Sequence, residues 1–346
     1  MNTEPFLFPS GNVDYHFDSS IAELPLIAAP DTSVIITDDN VAAAHAGKWA
    51  GYRHLSIAPG EGSKTIETVQ HLANELVALE AHRGTTLIGI GGGVVTDLTG
   101  FLATSYMRGL TFHFVPTTIL AMVDAAIGGK NGVNSGLHKN MLGSFRQPKS
   151  VLFDAALLTT LPDAEWSNGF AEIIKYAFMA DARLLTTLQA NDVAHYQKHA
   201  EELSQLIQGC VDLKSRIVNA DETETGIRKT LNFGHTAGHA FETLYGLPHG
   251  HAVGLGMKVA IALSEQHAGL MADSAPILNA LLERYGLPTA LESMDAPKVL
   301  EVLRMDKKRS ADAVDYVLIE KPGVAIVKPL KVDAIAQGLS AAGTAA

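Results

Sequence analysis

The stretch TTLIGIGGGVVTDLTGF, residues 85–101, decides the fold class of this chain. A short apolar run leads through Gly91, Gly92 and Gly93 into a helical pattern that starts near Val94. Glycines at such a turn let backbone N–H groups approach a phosphate, and the N-terminus of a helix favours its negative charge. The usual dinucleotide fingerprint requires a third glycine where this chain has Val94. A tight strand-to-helix turn without a ligand is therefore equally open on this stretch alone.

Strand and helix patterns alternate on both sides of this turn. Residues 33–37 and 111–118 have the composition of buried strands, and residues 66–82 have the spacing of an amphipathic helix. Alternation of this kind predicts an α/β fold, in which helices cover the faces of a parallel sheet.

The character of the sequence changes near Leu161, where strand signals become sparse and apolar residues recur at helical spacing. Two short runs, 314–320 and 323–330, predict a small hairpin near the end. We therefore predict an N-terminal Rossmann-like parallel-sheet domain over 1–160, followed by a mainly α-helical domain over 161–346.

Composition narrows the classes of function. The chain has 346 residues and a formal net charge of −11, which argues against nucleic acid or an anionic membrane as a partner. The N-terminus lacks a basic region followed by an apolar run, and no stretch approaches the roughly 20 apolar residues of a membrane span. We therefore expect a cytoplasmic protein. Cys210 is the only cysteine, which excludes an intramolecular disulfide and a cysteine-built metal site.

Two histidines stand four residues apart in GHTAGHAFE, residues 234–242. In a helix His235 and His239 would lie on one face, which Glu242 would extend. A structural or surface helix explains this pattern as well as a metal site does.

Residues elsewhere favour the metal site. The segment LPHGHAVGLGM supplies His249 and His251. Glu172 lies in the otherwise apolar helical stretch GFAEIIKYAF, where an unpaired charge would be costly. A metal ion is a suitable partner for such a carboxylate.

Several cations occur in glycine-rich or apolar surroundings. Each one taken singly is most simply a solvated side chain. Together with glycine-rich loops and metal-ligand types, they suit a substrate that carries both phosphate and carboxylate groups. These cations are Arg108, Lys130, Lys175, Lys214 and Arg228.

The order of six sequence blocks resembles the 3-dehydroquinate synthase family, over nearly the whole chain. Six ordered blocks are far more specific than any single motif. The blocks are GGGVVTDLTGFLATSYMRG, VPTTILAMVDAAIGGKNGVN, HKNMLGSFRQPKSVLFD, GFAEIIKYA, ADETETGIRKTLNFGHTAGHAFE and HGHAVGLGM.

The resemblance implies that Glu172, His235 and His249 hold a catalytic Zn²⁺ ion, with Co²⁺ as an alternative. His239 matches a histidine near the substrate phosphate, so it is not expected to be a ligand. The third ligand would then come from the next helix rather than from Glu242.

The same resemblance implies a substrate pocket, an NAD site and a homodimer. Arg108 matches an arginine that reaches the site of the neighbouring subunit. The matching pocket residues are Asp124, Lys130, Asn140, Lys175, Lys214, Arg228, Asn232, His239 and Lys307. The matching NAD residues are Asp38, Asn40, Glu61, Lys64, Gly92, Gly93, Asp97, Thr117, Thr118 and Lys139.

The reaction that the resemblance implies converts 3-deoxy-D-arabino-heptulosonate 7-phosphate to 3-dehydroquinate and phosphate, in the shikimate pathway of aromatic amino acid biosynthesis. The enzyme would be a lyase that uses transient NAD-dependent oxidation at C5, phosphate elimination, re-reduction and intramolecular aldol closure.

Other functions remain as alternatives. A secondary-metabolite cyclase would act on an uncarboxylated sugar phosphate, but Arg228 and Asn232 match the dehydroquinate pattern. A metal-dependent alcohol or glycerol dehydrogenase would not need so many cations for phosphate and carboxylate. A non-catalytic NAD-binding protein is disfavoured because every expected metal and pocket position is filled.

The chain departs from the commonest sequence pattern of the family at a few positions. Ala125 and Ala126 replace a serine pair, Asn131 replaces a threonine, and His251 replaces a glutamate. None of these removes a ligand, but His251 is close enough to His249 in sequence to compete for the metal or to alter its surroundings.

Overall fold

The computed structural model describes residues 2–136, 138–291, 294–306 and 313–344. These residues form two compact units. The first unit combines 1–162 with 199–223, and the second combines 163–198 with 224–346. A domain boundary at residue 160 stays a proposal, because compactness alone does not show independent folding.

Within the described ranges the chain forms eleven strands and twelve α-helices. The strands are β1 (Asn2–Phe8), β2 (Gly11–Phe17), β3 (Ser33–Asp38), β4 (Arg53–Ile57), β5 (Thr86–Gly91), β6 (Thr111–Pro116), β7 (Lys130–Ser135), β8 (His138–Phe145), β9 (Ser150–Leu152), β10 (Ala313–Lys321) and β11 (Val324–Lys331). The helices are α1 (Asp39–His45), α2 (Ile66–Ala78), α3 (Gly93–Ser105), α4 (Asp163–Met179), α5 (Arg183–Ala190), α6 (Val193–Lys198), α7 (Ala200–Ala220), α8 (His235–Tyr245), α9 (His249–His267), α10 (Ser274–Arg284), α11 (Ala296–Asp306) and α12 (Val332–Thr344).

A seven-stranded sheet organises the first unit, in the order β1-β2-β9-β6-β5-β3-β4. Its neighbours pair in parallel except for β1, which pairs antiparallel with β2 at one edge. Ile35, Ile88, Val115 and Leu152 from four of the strands form a buried cluster with Trp49. Apolar strands of this kind, buried on both faces, are typical of parallel sheets, and the predicted α/β class is confirmed.

The carboxyl ends of three neighbouring strands meet at one edge of this sheet. Strand β3 ends at Asp38, β5 ends at Gly91, and β6 leads directly into Thr117. The Thr117 N–H donates to the Gly91 carbonyl oxygen at 2.9 Å, which ties two of these ends together. Ligands of open α/β sheets bind at such an edge.

The second unit is mainly helical, with the predicted hairpin present as β10 and β11. Helices α4 and α9 are buried along most of their length. A Cβ atom at Gly256 of α9 would overlap the carbonyl oxygen of Gly234, so glycine lets α9 approach the start of α8 closely. Within the described residues, we find no helical segment with the length and hydropathy that a bilayer span demands.

Candidate active site

Glu172, His235 and His249 form a compact cluster in the second unit. Glu172 lies in the middle of α4 with no exposed surface, and the two histidines are the first residues of α8 and α9. The Nε2 atoms of His235 and His249 lie 3.5 and 3.3 Å from Glu172 Oε1. One ligand atom from each residue lies within 4.8 Å of the other two. Residues separated by up to 77 positions thus present three metal-ligand atoms to one point.

Local backbone geometry places both histidines. Gly234 adopts a left-handed conformation with φ of 79° immediately before α8, which glycine tolerates without steric cost. The His235 Nδ1 atom lies 3.2 Å from the Phe233 carbonyl oxygen. Donation through Nδ1–H would leave Nε2 as the lone-pair atom facing Glu172. At the start of α9, the Gly250 N–H donates to the Asn168 side-chain oxygen.

The surroundings shift the two histidines in opposite directions. Burial lowers the pKa of His235 to about 3, against the opposing effect of the Glu172 carboxylate. Burial also lowers the pKa of His249, but the carboxylates of Glu172 and Glu242 outweigh it and raise the pKa to about 9. His235 therefore offers a lone pair at neutral pH, whereas His249 would have to release a proton to bind a cation.

Two charged groups surround this cluster. Lys175, three residues after Glu172 on α4, forms a buried ion pair with its carboxylate. Glu242 places Oε2 3.6 Å from His249 Nδ1, on the side of the ring that faces away from Glu172. A carboxylate in this position orients an imidazole and raises its basicity. Glu242 therefore lies behind a cluster histidine and outside the three-residue cluster.

A cavity of about 350 Å³ borders His235 in the second unit. His239, exposed on α8, also lines this cavity, and its ring centroid lies 5.3 Å from that of His235. The Asn232 amide nitrogen donates to Glu224 at 2.8 Å, and both residues line the same cavity. Arg228, on the turn before Asn232, is only 1% exposed. Glu224 was not predicted from the sequence, where nothing distinguishes it from other acidic residues.

The first unit brings a second group of predicted residues together. Lys214 on α7 donates through Nζ to the backbone oxygen and to the Oδ1 atom of Asp124, each at 2.7 Å. Its side chain is 8% exposed. The charge of Lys214 is therefore fixed at the segment that follows β6.

Predicted nucleotide and substrate residues share a further network in the first unit. Lys64 forms an ion pair with Asp97 of α3 and donates to the Asn140 side-chain oxygen at 2.6 Å. Burial raises the pKa of Asp97, and the Lys64 ammonium opposes that rise. Glu61 accepts from the Asn134 amide at 2.8 Å. Asn134 is a further residue that nothing in the sequence distinguishes from other asparagines.

The remaining predicted residues occupy different environments. Asp38 caps α1 by accepting from the Val41 N–H at 3.0 Å. The Thr118 hydroxyl accepts from the Ala121 N–H at 3.0 Å. Among these remaining residues, Asn40, Arg108, Lys130 and Lys139 are exposed. Lys307 lies outside the described residues.

Asn131 and His251, two of the four replaced positions, lie in surroundings that the structure defines. Asn131 is 4% exposed and donates to the carbonyl oxygens of Gly129 and Arg146 at 3.0 and 2.9 Å. His251 is half-buried on α9, where burial lowers its pKa. Among the described residues, the metal-type cluster around Glu172 does not include His251.

The fold of this chain matches that of a solved enzyme. The structure is similar to 2-epi-5-epi-valiolone synthase from Streptomyces hygroscopicus, solved with NAD⁺ and Zn²⁺ bound, with a TM-score of 0.87. The match covers 95% of this chain and 96% of that one at 24% identity, which establishes the fold alone. The chain thus shares the fold of this synthase.

Sequence comparison gives the family. Two family models match, described as 3-dehydroquinate synthase N-terminal over residues 54–168 and C-terminal over residues 169–309. The 3-dehydroquinate synthase of Dichelobacter nodosus is 44% identical over 279 residues, 79% of this chain and 75% of the relative. That of a Sulfurovum species is 39% identical over 316 residues, 89% of each chain. The chain belongs to the 3-dehydroquinate synthase family, a family of phosphate-eliminating enzymes, and the resemblance stated above is confirmed.

Proposed function

We propose that this protein converts 3-deoxy-D-arabino-heptulosonate 7-phosphate to 3-dehydroquinate and phosphate, as a cytoplasmic enzyme of the shikimate pathway. Membership of the 3-dehydroquinate synthase family supports this activity. The observation that carries it in the structure is the cluster of fully buried Glu172 with His235 and His249, beside a cavity that Asn232 and His239 line. Solved structures of 2-deoxy-scyllo-inosose synthase and 2-epi-5-epi-valiolone synthase share the fold at 23% and 24% identity, which gives no support for their substrates here.

The cluster in the second unit fits a zinc ion. One carboxylate and two imidazoles are a common donor set for catalytic zinc, which keeps a further position open for substrate. Glu172, His235 and His249 would hold the ion, and Glu242 would orient the His249 ring. A divalent ion held there, Zn²⁺ or Co²⁺, supplies Lewis-acid stabilisation of a hydroxyl oxygen. Lys175 would balance the charge of Glu172 while the metal is absent.

The glycine turn in the first unit fits a dinucleotide. Gly92 and Gly93 begin α3, and a Cβ atom at either would approach Thr118 or Ala125 to 3.2 Å. Glycine therefore keeps the helix N-terminus open to a pyrophosphate. NAD held there supplies a hydride acceptor and donor. The residues that would hold it are Asp38, Asn40, Glu61, Lys64, Gly92, Gly93, Asp97, Thr117, Thr118 and Lys139.

The substrate carboxylate and phosphate require preorganised cations. The family resemblance is our ground for assigning Arg228 and Lys214 to the carboxylate. Arg228 is buried in the second unit, and Lys214 is held by Asp124 in the first. Fixed charges of this kind stabilise a charged transition state without reorganisation. Asn232, whose amide nitrogen donates to Glu224, would accept from a substrate hydroxyl through its amide oxygen. We assign the phosphate to Lys130, Asn140, His239 and Lys307.

A homodimer is part of the proposal. Met107 and Arg108 form an exposed turn with left-handed φ angles of 49° and 68°. A Cβ atom at Gly109 would lie 2.8 Å from the Arg146 guanidinium, and the Met107 side chain next to Arg108 is 44% exposed. An exposed cation next to an exposed apolar side chain suits contact with a second copy. Sedimentation at micromolar concentration should give twice the monomer mass, and a monomer that is fully active would contradict this part.

Substrate choice tests the activity itself. Metal-loaded protein with NAD⁺ should release phosphate from 3-deoxy-D-arabino-heptulosonate 7-phosphate, but not from sedoheptulose 7-phosphate or glucose 6-phosphate. Arg228→Ala should impair this release by about 10²-fold while zinc content is unchanged, because a charge-assisted bidentate contact is lost. Arg183→Ala is the matched control, since Arg183 is 91% exposed in the same unit. Release from an uncarboxylated sugar would contradict the proposal.

A further inference from the structure

We propose that Asn134 is a positioning residue that joins the proposed nucleotide-binding segment around Lys64 to the β7–β8 hairpin, which carries proposed substrate contacts. The inference rests on the function proposed above. It concerns the alignment of the two binding sites in the first unit. Asn134 itself would touch neither the substrate nor the cofactor.

Each of three polar groups of Asn134 makes one hydrogen bond, two to the segment around Lys64 and one to Asn140 in the hairpin. Its backbone N–H donates to the Lys64 carbonyl oxygen at 2.8 Å. Its amide nitrogen donates to Glu61 Oε1 at 2.8 Å. Its amide oxygen accepts from the Asn140 N–H at 2.9 Å. The bridge between Thr65 and Asn134 runs in the parallel sense and holds the same two segments together.

These contacts fix a backbone conformation that needs support. Asn140 has a φ of 54°, in the left-handed region, which asparagine adopts more readily than most residues but still at some cost. The hydrogen bond from its N–H to Asn134 holds the turn in this conformation. The Asn140 side-chain oxygen then faces Lys64 Nζ at 2.6 Å.

Lys64 completes the connection to the nucleotide side. Its ammonium group forms an ion pair with Asp97 on α3, the helix that follows the glycine turn. Side chains from the Glu61 segment, α3 and the hairpin therefore form one hydrogen-bonded network around Asn134. Loss of this residue should displace proposed contacts to the nucleotide and to the substrate together, because both depend on the same anchor.

Replacing the amide nitrogen of Asn134 by an oxygen atom tests this role. Asn134→Asp retains the oxygen that accepts from Asn140 but places a carboxylate against Glu61. We expect the KM for the sugar acid and the Kd for NAD⁺ each to rise about tenfold. The kcat should change less than about threefold, because no group that touches the reacting atoms is altered.

A reciprocal substitution separates this role from a general loss of structure. Glu61→Gln/Asn134→Asp restores a donor facing an acceptor, so its KM should lie within about twofold of that of Glu61→Gln alone. Asn12→Asp makes the same change at an exposed position of β2 and should leave both constants unchanged. Should Asn134→Asp alone fail to fold, the comparison of the double variant with Glu61→Gln still decides the question.

The possible outcomes distinguish failure of the proposed function from failure of the proposed role of Asn134. Wild-type protein that releases no phosphate from the sugar acid would remove the proposed function itself. Active wild-type protein with an unchanged KM in Asn134→Asp would overturn the role of Asn134 alone. The role of Asn134 would also be overturned if the KM increases caused by Asn134→Asp and by Glu61→Gln simply multiplied in the double variant.

Discussion

Glu172→Gln tests the metal ligand and the buried ion pair in one substitution. Glu172 has no exposed surface, and Lys175 beside it is 1% exposed. The amide keeps the shape of the side chain but removes its charge, so the Lys175 ammonium stays buried without its counter-ion. Breaking a buried pair in this way costs about 3–5 kcal/mol, whereas replacing both partners by apolar groups is often neutral.

Because breaking the ion pair and replacing both partners should differ in cost, two measurements can be predicted. In chelator-treated protein, Glu172→Gln should lower the free energy of unfolding by about 3–5 kcal/mol in a denaturant titration. Glu172→Leu/Lys175→Met should recover most of that loss, because both charges are gone. Zinc bound per chain, measured by elemental analysis after reloading, should fall sharply in both variants, since each lacks one of the three ligands.

Zinc content and the free energy of unfolding test two different claims. Full zinc content in Glu172→Gln would refute the role of Glu172 as a ligand. A double variant as unstable as Glu172→Gln would refute the ion-pair explanation of the stability loss. A single variant as stable as the wild type would show that the buried Lys175 charge costs little at this site.

Two further predictions concern the first unit. Burial lowers the pKa of His113 to about 4, so between about pH 6.5 and 4 the unfolded chain binds more protons than the native one. Stability from this group should be complete above about pH 6.5 and decline by up to about 3 kcal/mol as the pH falls through that window. His113→Asn, which can keep the contact to Ser150, should flatten the pH dependence measured by thermal unfolding, and an unchanged profile would contradict this. Asn131→Asp should destabilise the protein by about 3 kcal/mol, because a carboxylate cannot donate to the two carbonyl groups that Asn131 contacts. Asn131→Thr should be milder, and equal denaturation midpoints for all three proteins would rule out this role.

The strands of the sheet differ in how far sequence could predict them. Central strands β3, β5 and β6 were predicted because buried parallel strands need long apolar, β-branched runs. The edge strand β1 contains Pro5 and polar residues, and its partner β2 starts with three residues that include only one apolar side chain. The hairpin strand β8 is mostly exposed, so no apolar face needed to appear in its sequence. Strand signals come from burial, and β1 and β8 are less buried than the central strands.

The residues of the candidate site also differ in how far the sequence could predict them. A glutamate in an apolar helix was a recognisable anomaly, because a buried charge requires a partner. Its partner Lys175 was visible only as another cation, since sequence does not show that α4 buries both residues. Glu224 and Asn134 gave no signal, because each is an ordinary polar residue whose importance depends on contacts made by distant segments. Spacing could suggest His235 with His239, but only folding brings His249 to within 3.3 Å of Glu172.

The most direct test of the proposed reaction is the amount of phosphate released for each NAD⁺ supplied. Metal-loaded protein should be given excess 3-deoxy-D-arabino-heptulosonate 7-phosphate and NAD⁺ at a small fraction of the substrate concentration, with absorbance of NADH recorded throughout. Because the cofactor is regenerated in the proposed reaction, we predict many phosphate ions for each NAD⁺ and no accumulation of NADH. NADH that accumulates in step with substrate consumption, without phosphate release, would show that the protein is a dehydrogenase and contradict the central claim.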